Sequence, residues 1–421
     1  MLKRATKRVR LGLLLLAGVL IAALLPGVAI GRPWLAPAAA PLGQLSCASG
    51  GPNFNLKTAS GHISTPDGNS VFMWGYSQTG DDFQMPGPVL CVNQGQTVNI
   101  TLTNNDPGIP DPVSIIFPGQ VGVTASGGSA GLFTAEAAPG GGTVSYTFVA
   151  SEPGTYLYES GSEADKQVQM GLYGALIVRP AGHADWAYND SSTQFSQEYL
   201  LVMHDIDPFL HQAVERGQPY DVTKVADRYW TINGRSFPDT VSADNVDWLP
   251  SQPYGSLVRV EASANQNSLP TLIRYANAGM VNHPFHPHGN HMRVIARDGR
   301  LLNAPFEDFT RTVGSGQSYD LLWRWVDVEA WNSTSKPLPI LIPGLIPGVQ
   351  NLVFKDGASF YSGNPYLGEK GDFPQGVTVY NQCGEFYFPW HSHALNEFTN
   401  FDEGFGGLAT LVRVEPPGGC P

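Results

Sequence analysis

Charge is scarce in this sequence: only 14% of its 421 residues are Asp, Glu, Lys or Arg. Basic charge is scarcer still, with 24 Lys and Arg against 36 Asp and Glu. Six of the basic residues (Lys3, Arg4, Lys7, Arg8, Arg10 and Arg32) precede residue 41, and no acidic residue does. The remainder is therefore strongly acidic, which repels polyanions and argues against nucleic acid as a partner. Sustained helical periodicity is also missing beyond the N-terminal apolar run, which excludes a helical bundle. Cysteine is limited to Cys47, Cys91, Cys383 and Cys420. None belongs to a CxxC pair or stands between histidines, so all four are read as structural. They predict two disulfides in any of three pairings.

Gly (48) and Pro (34) are abundant and punctuate short β-branched runs. QTVNITLTN (96–104), TVSYTFVA (143–150), YLLVMHDID (199–207) and SLVRVEA (256–262) read as strands of an all-β protein. The chain opens on the basic MLKRATKRVR, then the apolar LGLLLLAGVLIAALLPGVAI, then small residues in APAAAPLG. Residues 1–40 are thus a signal peptide with a cleavage zone near 38–41, or an uncleaved signal anchor. Either reading predicts export: secreted, periplasmic or extracellular, or held at a membrane. The two halves end alike, with GTYLYESG and GLYGALIVRP in one and GEFYFPWHSH and GFGGLATLVRV in the other. That repeat predicts two copies of one β-domain, over 45–180 and 195–416, joined by the polar stretch 181–197.

Six of the ten histidines fall in two clusters, NHPFHPHGNH (His283, His286, His288, His291) and HSH (His391, His393). On a strand, residues i and i+2 share a face. His286 with His288 and His391 with His393 therefore form two pairs whose imidazoles can converge, a donor set suited to copper or zinc. Pro284 and Pro287 stiffen the first cluster and suit an edge or loop. His62, His183, His204 and His211 stand apart and are read as non-ligands.

HPFHPHG resembles the third copper motif of multicopper oxidases, and HSHALNE resembles the fourth. YWTINGRSFPDT and IRYANAGMVNH are similar to that family's inter-motif strands, and the likeness runs from about residue 60 to 415. It implies two cupredoxin-like Greek-key β-sandwich domains after the export signal. It also implies that His286, His288, His391 and His393 ligate a copper cluster and that His283 ligates a mononuclear blue copper. The pattern is broken elsewhere. Ser392 stands where the blue-copper thiolate belongs and Glu397 where its second histidine belongs. Ile116, Pro118, Glu159 and Gly161 replace the histidines of the first two motifs. A homo-trimer could share a cluster between subunits, but each would lack the same ligands.

Without a thiolate, the covalent path by which electrons enter a blue copper is missing. What remains is a reduced site of one or two copper ions on the four histidines. His291, Glu159 and Glu397 are further candidate ligands, and Asp402 and Glu403 extend the acidic run. Three functions follow. One is a copper oxidoreductase of altered type acting on a small phenolic or metal-ion substrate. Another is a copper-binding storage or scavenging protein without turnover. The last is a metal-free interaction module.

Overall fold

Val98, Ile100 and Leu102 are fully buried while Asn99 and Thr101 between them are not, the alternation of a strand with one face on a core. The computed structural model describes residues 43, 45–261, 268–325 and 386–415. The segment read as an export signal, Cys383 and Cys420 lie outside the described residues. The first half contributes β1 (Asn53–Ser64), β2 (Ser70–Gln78), β3 (Leu90–Asn93), β4 (Thr97–Asn104) and β5 (Thr124–Gly127). It continues with β6 (Ser129–Ala130), β7 (Ala135–Glu136), β8 (Gly142–Val149), β9 (Gly154–Glu159) and β10 (Tyr173–Arg179). The second half adds β11 (Gln197–Ile206), β12 (Tyr229–Ile232), β13 (Val258–Glu261), β14 (Thr271–Asn277), β15 (His283–Pro287) and β16 (Met292–Arg297). Then come β17 (Arg300–Asp308), β18 (Arg311–Val313), β19 (Ser318–Trp323), β20 (Phe386–Ser392), β21 (Thr399–Asn400), β22 (Glu403–Gly404) and β23 (Ala409–Glu415).

Each half is a pair of sheets. The first pairs β2-β1-β4-β8-β5 with β3-β10-β9, and the second pairs β12-β11-β14-β19-β16-β17 with β13-β23-β20-β15-β18. The topologies correspond: β1 lies parallel to β4 as β11 does to β14, and β3 parallel to β10 as β13 does to β23. The repeated sequence endings become equivalent antiparallel pairs, β9 with β10 and β20 with β23. This is the all-β double sandwich expected from the sequence. Each has its own core, around Trp74, Tyr76 and Tyr146 in one and Trp323, Trp390 and Phe285 in the other.

A third apolar cluster, including Met73, Leu157 and Ile177 with Val202, Ile206 and Ala276, joins the two sandwiches. Beside it lies a buried ion network. Arg274 donates to Glu198 (3.1 Å) and to Thr155 Oγ1 (2.9 Å), and Thr155 donates to Asp320 (2.6 Å). Tyr188 also donates to Asp320, and Arg179 pairs with Glu198. The stretch 181–197 is therefore no loose linker: Ala187, Tyr188 and Phe195 are buried against Leu272 and Leu322. Arg274→Leu leaves the buried Asp320 without its cation, while Glu198 keeps Arg179, and is expected to cost about 3–5 kcal/mol in a denaturant melt. A loss below about 1 kcal/mol would show that water reaches the network.

Cys47 and Cys91 form a disulfide, with a Cα–Cα distance of 5.6 Å, tying the N-terminal end of the first sandwich to β3. Among the described residues no helix is long and apolar enough to cross a membrane.

Candidate metal centre

The clusters HPFHP and FPWHSH fall on neighbouring strands. β15 and β20 pair antiparallel with Phe285 opposite Ser392, His286 opposite His391 and Pro287 opposite Trp390. Register then sorts side chains by parity. His283, Phe285, Phe388, Trp390 and Ser392 point into the core and are fully buried. His286, His288 and His391 are partly exposed and His393 is exposed, all on the opposite, outward face. Pro284 and Pro389 spend their missing N–H groups harmlessly and still accept, from His393 N at 2.8 Å and His288 N at 3.2 Å.

The outward face gathers four imidazoles. Ring centroids of His286 lie 4.7 Å from His288, 5.7 Å from His391 and 5.2 Å from His393. His288 Nε2 and His391 Nε2 stand 3.2 Å apart. His286 Nδ1 is 2.8 Å from the Phe309 carbonyl and 2.7 Å from Thr310 Oγ1, and His391 Nδ1 is 2.7 Å from the Ser392 carbonyl. A carbonyl on Nδ1 fixes the tautomer with its lone pair on Nε2, as metal-binding histidines require. Burial first, then the neighbouring imidazoles, holds His288 down at about 4; burial also lowers His286 and His391. All three are thus neutral donors at pH 7. Two nitrogens 3.2 Å apart suit one ion at about 2.0–2.1 Å from each. As the side chains stand, however, no group of three or more His, Cys, Asp or Glu among the described residues is arranged to hold a metal ion. The rings are assembled, while their nitrogens do not converge on one point. Aromatic rings border the face: Phe309 meets His286 edge-on at 6.0 Å, and Phe398 lies 5.2 Å from His391. Phe309, Leu395 and Phe405 are exposed around it.

The other candidate ligands lie elsewhere. His291 is exposed and packs on Phe309 at 5.6 Å. Glu159 ends β9 in the first sandwich, exchanging backbone hydrogen bonds with Ile116, and burial raises its carboxyl above the usual range. There a Cβ on Gly161 would meet Ile116 Cγ2 at 2.6 Å, so that replaced position has no room for a side chain as packed. His283 and Glu397, the other two candidate copper ligands, stand together away from the outward face. His283 is in the core, with Nδ1 2.9 Å from Glu397 Oε2 and Nε2 3.4 Å from Asp205 Oδ1. Asp205 was missed in the sequence, although an acid inside the apolar run YLLVMHDID is itself a signal of a buried partner. His204 and His211 are buried on hydrogen bonds to Val168 O, Phe72 O and Gln169, and burial lowers both to about 4.

Residues 60–183 match the family model described as multicopper oxidase. That match spans less than a third of the chain. The match falls on the sandwich that lacks the copper-motif histidines, so its core and turns carry the likeness, not metal ligands. The chain is 26% identical over 183 residues to the copper-containing nitrite reductase of Neisseria meningitidis, covering 42% of each. It is 25% identical over 260 residues to Laccase-2 of Botryotinia fuckeliana, covering 61% of this chain and 40% of that one. These alignments span less than half of the curated relatives. Among solved structures, the Blue Copper Oxidase from Nitrosomonas europaea superposes with a TM-score of 0.58 at 19% identity, over 86% of this chain and 85% of that one. That likeness shows the shared cupredoxin-like fold.

Proposed function

We propose that this chain is an exported copper-binding oxidoreductase of the multicopper oxidase type, working from the outward histidine face without a blue-copper relay. The observation that carries the reading is the meeting of four imidazoles on and just beyond β15 and β20, with His288 and His391 nitrogens 3.2 Å apart. His286, His288, His391 and His393 would hold one or two copper ions, which supply one-electron chemistry when bound. The chain's own part is to keep the imidazoles neutral and their tautomers fixed through Phe309 O, Thr310 and Ser392 O. The aromatic border and partial exposure suit a small phenolic or metal-ion substrate reaching the face from solvent. A homo-trimer is part of the proposal and is read by sedimentation.

The test is copper titration of the purified chain with metal analysis, electron paramagnetic resonance and oxygen uptake. Expected are one or two coppers per chain, no intense blue absorption, and oxygen-dependent oxidation of a phenol. Copper without oxygen consumption would instead establish a storage or scavenging role. That second reading is favoured by the buried serine in place of a thiolate. Absence of copper would sink both.

A further inference from the structure

The core-facing position beside Ser392 does not fit a mononuclear copper. Three residues decide this. Ser392 offers a hydroxyl that is already engaged, accepting from Ala394 N at 3.2 Å. Glu397, at the end of the short turn Leu395–Glu397, occupies the place of a second histidine and is aimed at His283 Nδ1. His283 itself faces carboxylate oxygens at both ring nitrogens, 2.9 Å from Glu397 and 3.4 Å from Asp205. The second contact is an ion pair without hydrogen-bond geometry, and Nε2 has no hydrogen-bond partner. Ionised carboxylates only accept, so a ring lodged between two of them is satisfied with both nitrogens protonated.

The pocket is built for that charge. Asp205 is fully buried on β11, and the loop after β14 wraps its carboxylate with the amides of Met280 (3.0 Å) and Val281 (3.4 Å). Gly279 is required there, because a Cβ would stand 1.8 Å from Asp205 Oδ1. Asp227 and Asp207 lie on the same side, and His204 on β11 adds a ring held by Val168 O. Asp207 is committed to capping the helix Pro208–Glu215 through Phe209 N and Leu210 N. The buried carboxylates of Asp205 and Glu397 therefore share His283 as their cation.

We propose that the triad Glu397–His283–Asp205 has replaced the mononuclear metal position of the second sandwich. A proton on His283 supplies the positive charge there, and metal binding is confined to the outward face. The confinement rests on the copper reading above; the protonated triad does not. In copper-free protein labelled with ¹⁵N-histidine, one ring is expected to show two protonated nitrogens at about pH 7.5, one unit above the ordinary histidine value. That signal is assigned by its loss in His283→Gln, or, where that variant does not fold, by its shift in the near-isosteric Glu397→Gln. A spectrum with every ring singly protonated overturns the proposal. Ser392→Cys, titrated with Cu(II), is expected to gain no intense blue absorption, because a thiolate alone does not displace the triad. An intense blue band in that single variant also overturns it. Failure of the outward face to take copper, with the doubly protonated ring present, would remove the copper reading and leave the triad standing.

Discussion

A chain carrying His286→Ala together with His391→Ala is expected to lose copper binding by more than about 100-fold while remaining folded. Outer partners of metal-bound histidines typically contribute 10–100-fold in affinity, and two direct ligands contribute more. His286 and His391 are opposed across β15 and β20, so their removal takes the centre from the four-imidazole face. Both project outward, and neither fills the core around Phe285 and Trp390. Melting temperature without copper should therefore change little. Copper at about 100 times its dissociation constant stabilises a single-site protein by about 2.7 kcal/mol, so the wild-type melt should rise on loading and the variant's should not. His291→Ala, on the far side of Phe309, should keep copper. Retention of stoichiometric copper by the double variant would place the site elsewhere.

The second large effect lies in the core. Glu397→Ala should cost about 3–5 kcal/mol, because it leaves His283 and Asp205 unbalanced in a dry site. Glu397→Gln keeps the volume and an acceptor for His283 and should cost less. The same triad shapes the dependence of stability on pH. Burial pulls the His283 ring down, but Asp205 and Glu397 outweigh it and hold the ring up at about 9. A raised histidine value means its stabilisation is fully present below about 6.5 and is lost as pH climbs through about 9. Asp227, raised to about 7 by burial and by Asp205 and Asp207, acts in the same direction between about 4 and 7. His204 and His211, lowered to about 4 by burial, oppose it: stability rises with pH as their unfolded counterparts lose protons. Urea melts across pH should show a maximum near neutrality and a decline from about pH 7 to 9 that Glu397→Gln flattens. An unchanged alkaline decline in that variant would refute the assignment to His283.

Much of this was legible in the residues. Alternation of the Val98, Ile100 and Leu102 kind announces strands. The repeated pairs of terminal runs announce two copies of one topology, because a fold that buries the same face twice must repeat its apolar pattern. The packing of the stretch 181–197 is not legible because its few apolar residues are widely spaced. Three of them, Ala187, Tyr188 and Phe195, nevertheless pack on Leu272 and Leu322, which come from distant strands.

Within the site, the spacing of two in HPH and HSH already places His286 with His288, and His391 with His393, on common faces. The missing thiolate at Ser392 is likewise a fact of sequence. So is the odd offset between His283 and His286, which puts them on opposite faces. The sequence does not reveal that His286 stands opposite His391, since register is set by how both strands pack on the core. Nor does it reveal that His283 meets Asp205 and Glu397. Those three residues come from β15, β11 and a turn beyond β20. Periodicity along one strand determines which way a side chain faces; only the packing of strands distant in sequence decides whether it finds metal, water or a carboxylate there.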